Sequence, residues 1–229
     1  MTEFLQQFIR KDEQSKSFES IIDREIERKS TTPIDGSFDP SRITECSRRL
    51  SYRAAGVASS FSDSYLNDQT DEAIKTKWIS ILEICPSVKV MEAHLVVADS
   101  KFNITGNIDA VIELDDIYVT LIKPVSDCDF GNVVENGAFK KDVIEAVLYL
   151  WLSEIKNGML IYDNKNNGGH LVFHVEPYAP IINSVKAKCS DLVQHKLMGQ
   201  LPKRPYKNKN SKECSICEFR DKCWIKGKI

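Results

Sequence analysis

No apolar run in this 229-residue sequence approaches the ~20 residues that a membrane-spanning helix requires. A membrane partner is therefore not expected. The opening residues MTEFLQQFIRKDEQSKSFES lack the basic, apolar and small-residue order of a secretory signal, so the expected location is intracellular, in the cytoplasm. Neither sign of charge dominates: 31 Lys and Arg stand against 33 Asp and Glu, a formal net charge of −2. Global charge thus neither selects nor excludes nucleic acid. There is no glycine-rich loop of the phosphate-cradling kind and no strained nucleophile turn, which removes the common nucleotide-cofactor and serine-hydrolase readings. Histidine is scarce. Only His170 and His174 are spaced i, i+4; on a strand they share a face but lie too far apart to close easily on one ion, and with His94 and His195 they read as structural. Internal repeats and low-complexity segments are also missing, which excludes solenoid and compositionally biased architectures.

What is present suits one substantial domain with a small appendage. Residues 1–41 read as a polar helical segment followed by the Pro/Gly/Asp-rich linker STTPIDGSFDPS. The core is expected over residues 42–200. It opens with two helices, RITECSRRLSYRAAG and TDEAIKTKWISILEI, the second capped by Thr70 or Asp71 with Ile74, Trp78, Ile81 and Leu82 at helical spacing. Three short β-branched runs follow, VKVMEAHLVVA, FNITGNIDAVIEL and IYVTLIKPVS, and predict an antiparallel meander. A strongly apolar helix (KKDVIEAVLYLWLSEIK), two more strands (GMLIYDN and HLVFHVEPY) and a last helix (IINSVKAKCSDLVQHKLMG) complete the core. The fold class is α/β of the α+β kind. Residues 201–229 form a basic, Cys-rich end, with nine Lys or Arg against three acids from residue 202 onward. Such a patch suits either a phosphate backbone or solvent.

Seven cysteines in an intracellular chain argue for metal ligation or scattered core thiols and against a disulfide framework. Cys214, Cys217 and Cys223 form CSICEFRDKC, a C-x2-C-x5-C run whose thiolates can turn inward around one soft centre. Three ligands leave that centre incomplete. Cys46, at the start of the core beside a basic pair, is the candidate for the fourth. Four thiolates accept zinc or an iron–sulfur cluster equally, so this pattern does not choose between Zn2+ and 4Fe-4S. Cys85, Cys128 and Cys189 have no partner spacing and read as small core residues.

Cys46 before the core, the C-x2-C-x5-C run after it, and GNIDAVIE between them resemble the PD-(D/E)xK nucleases of the RecB-like branch that carry an iron–sulfur cluster. That branch includes the CRISPR-associated exonuclease family and similar proteins of tailed phages. TECSRRLSYRAAG is similar to the family's opening helix, LIYDNKN resembles a strand motif of the phage-encoded members, and LPKRPYKNKNSKECSICEFRDKCW is similar to their approach to the cluster. The resemblance spans roughly residues 42–224. It implies a central mixed sheet flanked by helices, with a 4Fe-4S cluster on Cys46, Cys214, Cys217 and Cys223 tying the chain ends together. It also implies DNA, bound without regard to sequence, as the partner of Lys203, Arg204, Lys207 and Lys209. A phage origin, with a place in the virion and other virion proteins as partners, is among the settings it allows.

The catalytic positions match less well. Asp109 corresponds to the family's metal-binding Asp and Lys123 to its catalytic Lys, but Leu121 stands at the middle carboxylate. Lys75 stands at a preceding-helix His, and Glu145, four residues before Tyr149, at a Gln. Such sites hold Mg2+ or Mn2+ on carboxylates to activate water. Leu cannot ligate a hard cation, and Lys75 adds a charge that opposes one. Glu145 can replace the lost carboxylate if its helix face meets Asp109; Glu113 and Glu92 are lesser candidates. The competing reading turns Asp142, Glu145, Tyr149, Ser153 and Lys156 to water as one polar stripe. Leu121 shares a side with Lys123, which would put it in a wet cleft unless the cleft is filled, with Lys123 then pairing with Asp109 or Glu145. The expectation is a degenerate nuclease acting as a DNA-binding or structural component. The alternatives are an active Mg/Mn-dependent exonuclease using Asp109, Glu145 and Lys123, and a zinc-stapled adaptor between proteins.

Overall fold

Alternating β-branched residues between residues 89 and 125 build three consecutive strands, β1 (Lys89–Asp99), β2 (Ile104–Glu113) and β3 (Ile117–Val125), joined as an antiparallel meander. They begin a five-stranded sheet in the order β1-β2-β3-β4-β5. β4 (Asn157–Asn164) runs parallel to β3, in a register that sets Leu121 beside Leu160 and Lys123 beside Tyr162. β5 (His170–Val175) returns antiparallel to β4. The sheet is therefore mixed, as expected. These features come from a computed structural model that describes residues 16–21, 36–57 and 65–225.

A parallel β3–β4 pair needs a crossover, and two helices supply it. The first, over Asp127–Asn136, escapes a reading by periodicity because Val133 is its one buried residue. Its signal is chemical instead: the Ser126 hydroxyl accepts from the Asp129 amide at 3.2 Å, and Asp127 and Asp129 sit at the positive end of the helix. The second, Lys140–Ser153, is the apolar helix of the sequence. In chain order the helices are α1 (Ser47–Ala54), α2 (Tyr65–Ile84), α3 (Asp127–Asn136), α4 (Lys140–Ser153), α5 (Ala179–Leu197), and the short α6 (Lys212–Ser215) and α7 (Arg220–Trp224). Thr70 and Asp71, expected as caps, lie inside α2, which begins five residues earlier than Thr70. Among the described residues no helix is long and apolar enough to cross a membrane.

α4 is buried nearly all round. Ala146, Val147, Tyr149 and Leu150 pack into the cluster that holds Val119, Leu121, Leu160 and Tyr162, while Leu148 faces a second cluster with Leu50 of α1 and Val185, Cys189 and Leu192 of α5. Each such side chain contributes roughly 1.5–3 kcal/mol on leaving water. α2 covers the opposite sheet face, where Ile79 joins Ala110, Ile112, Tyr118, Ile122 and Ile161. The packed domain begins before Arg42: Phe38 is 2% exposed, donates to Asn103 O at 2.7 Å and accepts from Thr105 N. A 3-10 turn, Pro40–Arg42, follows, capped by Asp39. Residues 16–21 are helical; the rest of the expected segment over residues 1–30 lies outside the described residues.

Candidate functional site: a carboxylate–lysine cleft and a four-thiol cavity

Six elements converge on a cleft of ≈ 470 Å³, β1 carrying Val96, β2 Asp109, β3 Lys123, α4 Glu145 and Tyr149, α2 Lys75 and Glu72, and the turn at Pro40 bringing Asp39. Asp109 is 4% exposed. Its Oδ2 accepts from the Ile122 amide at 2.7 Å and its Oδ1 lies 3.0 Å from Lys75 Nζ, so both oxygens are engaged. Glu145, 5% exposed, holds Lys123 Nζ on Oε2 at 2.6 Å. Burial pushes the Glu145 carboxyl above its ordinary range, and Lys123 offsets this only in part. Burial pulls the Lys75 ammonium down, but the charge and hydrogen bond of Asp109 outweigh it, and the net direction is up. The Tyr149 phenol is pushed well above its usual range, first by burial and then by Glu145, and its oxygen accepts from Asn107 N at 3.2 Å.

The cleft wall depends on one glycine. A Cβ on Gly106 would lie 2.7 Å from both the Pro40 ring and the Tyr149 hydroxyl, inside van der Waals contact. Gly106→Ala is expected to push the turn at Pro40 away from α4 and cost about 1–3 kcal/mol, read as a lower melting temperature. An unchanged melt would show that the turn is not packed against β2 as described.

The water-facing stripe is overturned. Asp142, Glu145 and Tyr149 are all buried. Asp142 accepts from the Tyr162 hydroxyl at 2.7 Å, and the Ser153 hydroxyl bonds back to Tyr149 O. Only Lys156, beyond the helix end, is exposed. Glu113 pairs with Lys89 at the exposed far end of β2, and Glu92 is exposed on β1; neither lines the cleft. Leu121 needs no special explanation as an apolar group in a wet place. It is 1% exposed and belongs to the apolar cluster under α4. The two carboxylates are instead brought together from β2 and α4, each matched by a lysine.

The four expected thiols, Cys46, Cys214, Cys217 and Cys223, line one cavity of ≈ 210 Å³ together with Arg48, Arg49, Tyr52, Phe219 and Trp224. The segment carrying three of them is held to α1 by ion pairs: Glu218 meets Arg49 Nη2 at 2.7 Å and also pairs with Arg53, while Tyr52 stacks on Phe219 at 5.3 Å. Among the described residues no three His, Cys, Asp or Glu side chains are grouped so as to hold a metal ion. The Trp224 Nε1 hydrogen is buried without a partner. Cys189 is a core thiol as expected, but Cys128 is exposed on α3 and Cys85 is half-buried.

No family model matches the chain, and no curated relative does. Among solved structures, SSO0001 is similar with a TM-score of 0.57 at 17% identity, covering 92% of this chain and 96% of that one. The alkaline exonuclease LHK-Exo from Laribacter hongkongensis is similar at 10% identity over 71% of this chain and 89% of its own, with a TM-score of 0.55 for its dAMP complex and 0.54 for another crystal structure of it. The chain shares its fold with these proteins. Lys203, Arg204, Lys207 and Lys209 are all exposed. The Arg204 guanidinium also donates to Cys223 O at 2.9 and 2.5 Å and stacks on Trp224, which clamps the Cys-rich end.

Three acids in and beside the cleft escaped the sequence reading. Asp39 was legible as a cap before Pro40 but not as a cleft residue. Glu72 faces the cleft one turn before Lys75. Asp163 is buried, accepting from Lys77 Nζ at 2.8 Å and Trp78 Nε1 at 2.7 Å, which fixes α2 on the sheet beside Lys75. His170 and His174 pack edge-on against Trp78 and Tyr118, in keeping with a structural role.

Proposed function

We propose that the chain is a nuclease-fold protein that binds DNA without efficient cleavage, its ends tied by a 4Fe-4S cluster on Cys46, Cys214, Cys217 and Cys223. One observation carries the degenerate reading: each buried carboxylate of the cleft is neutralised by a lysine of the same chain, Asp109 by Lys75 and Glu145 by Lys123. A divalent cation held by both carboxylates would have to displace both lysines. The test is a nuclease assay with Mg2+ or Mn2+ on single- and double-stranded DNA beside Asp109→Ala. The expected result is no difference between the two proteins. Cleavage abolished by Asp109→Ala would establish the active exonuclease instead.

The cluster is supported by the donor set. A single zinc needs its sulfurs drawn to one point about 2.3 Å away. Thiols spread around a cavity, with Arg48, Arg49 and an unpartnered indole N–H on its wall, suit a larger anionic group. The cluster would supply a four-thiolate cross-link whose potential is set by charge and hydrogen bonds to sulfur.

DNA as the ligand rests on the likeness in fold to the alkaline exonuclease LHK-Exo, solved in complex with dAMP, and on the exposed basic residues near the C-terminus. Binding should be insensitive to sequence and weaken steeply with salt. Replacing Lys203, Lys207 and Lys209 by Ala should weaken it and flatten the salt slope by about 0.9 per lost phosphate contact. No binding even at low salt would favour a purely structural role.

A further inference from the structure

We infer that Lys188 is the positioning residue for the Cys46 thiol, an inference that rests on the cluster reading above. Lys188 lies half-buried on α5, far in sequence from all four ligands. Its ammonium donates to Ile43 O at 2.7 Å and to Glu45 O at 2.6 Å. These carbonyls bracket Thr44 in the turn that delivers Cys46 to the head of α1. Cys46 has extended backbone angles (φ −56, ψ 133) and no side-chain capping bond, so the thiol's direction is inherited from that turn. Two charge-assisted bonds from a packed helix fix the turn more firmly than its own backbone bonds can.

The other three thiols come from the opposite end of the chain. Their mutual geometry is local to CSICEFRDKC, whereas their distance to Cys46 depends on the turn that Lys188 holds. Bound to the carbonyl of Glu45, the residue before Cys46, the Lys188 ammonium also sets a positive charge behind one ligand, in the place where outer-shell partners of metal sites act. A cation there favours the reduced, more negative state of a thiolate cluster.

The test compares wild type, Lys188→Met and Lys188→Arg, purified without oxygen. Lys188→Met is expected to release iron to a chelator about tenfold faster or more, the effect usual for outer-shell partners, and to show a lower cluster reduction potential. Lys188→Arg, which keeps the charge and the donors, is expected to restore both. A merely structural lysine would change melting but leave the potential alone. Should Lys188→Met fail to fold, Lys188→Gln keeps one donor without the charge and is expected to lower the potential in the same way. Unchanged iron release and potential in the charge-free variant would overturn this inference while leaving the cluster reading intact. A wild type without iron would overturn both.

Discussion

Protein purified without oxygen is expected to be brown, with broad visible absorption and bound iron and sulfide, and Cys46→Ser is expected to lose that colour. The effect on stability should be large, because Cys46 and Cys214 lie near opposite ends of the chain and a cross-link between them closes a very long loop. On the chain-entropy account, links closing loops on the order of 100 residues are worth about 4–5 kcal/mol. The loss should not be total: Glu218 still pairs with Arg49 and Arg53, and Tyr52 still packs on Phe219. Cys128→Ser, at an exposed thiol outside the cavity, should keep both colour and melting temperature. Iron analysis and thermal melts of the three proteins check this. Colourless wild type holding one zinc per chain would reject the cluster, and unchanged iron in Cys46→Ser would exclude that residue as a ligand.

Lys75→Met is the second substitution with a large expected effect. It leaves Asp109 buried with one backbone donor and no counter-charge, a situation that costs 3–5 kcal/mol when a buried pair is broken. Lys75 is 28% exposed, so water reaches the pair and the lower end, about 3 kcal/mol, is expected. Mn2+ should then raise the melting temperature of Lys75→Met and leave the wild type unmoved. Equal stabilisation of both would sink the idea that the lysine holds the cation's place. Folding raises the Lys75 pKa above its ordinary value of 10.5. Its stabilisation is therefore complete below that pH and is lost as pH rises through the higher folded value. Alkaline melts should show wild type and Lys75→Met converging in that range.

Packing also decides what Leu121→Glu would do. A glutamate there would not simply complete a metal site, because Leu121 is enclosed by the cluster of Val119, Leu160 and Tyr162. The carboxylate would be buried without a partner, and severe destabilisation is the expected outcome. Restoring a divalent site requires at least the removal of Lys75 as well.

Period-two alternation over residues 88 to 125 and the apolar density of residues 140 to 153 determined the meander and the apolar helix, because these patterns are local and burial rewards them directly; the mixed sheet was implied by the resemblance. The cysteine spacing likewise marked three thiols as a unit, and the resemblance supplied Cys46. What the sequence left open was direction. Glu145 reads equally well as a solvated stripe or a cleft residue, since helical periodicity reports which residues share a face and not what that face meets. α4 is covered by the sheet on one side and by α1 and α5 on another, and only that packing turns Glu145 inward onto Lys123. Arg204 reads from sequence as one basic residue among several, and its partners, Cys223 O and Trp224, lie nineteen residues or more away in sequence. Asp39 and Asp163 gave no signal beyond a cap and a strand end for the same reason. Charge pairing between distant segments is decided by tertiary distance, and in this cleft it determines whether a carboxylate is available to a metal or already held by a lysine.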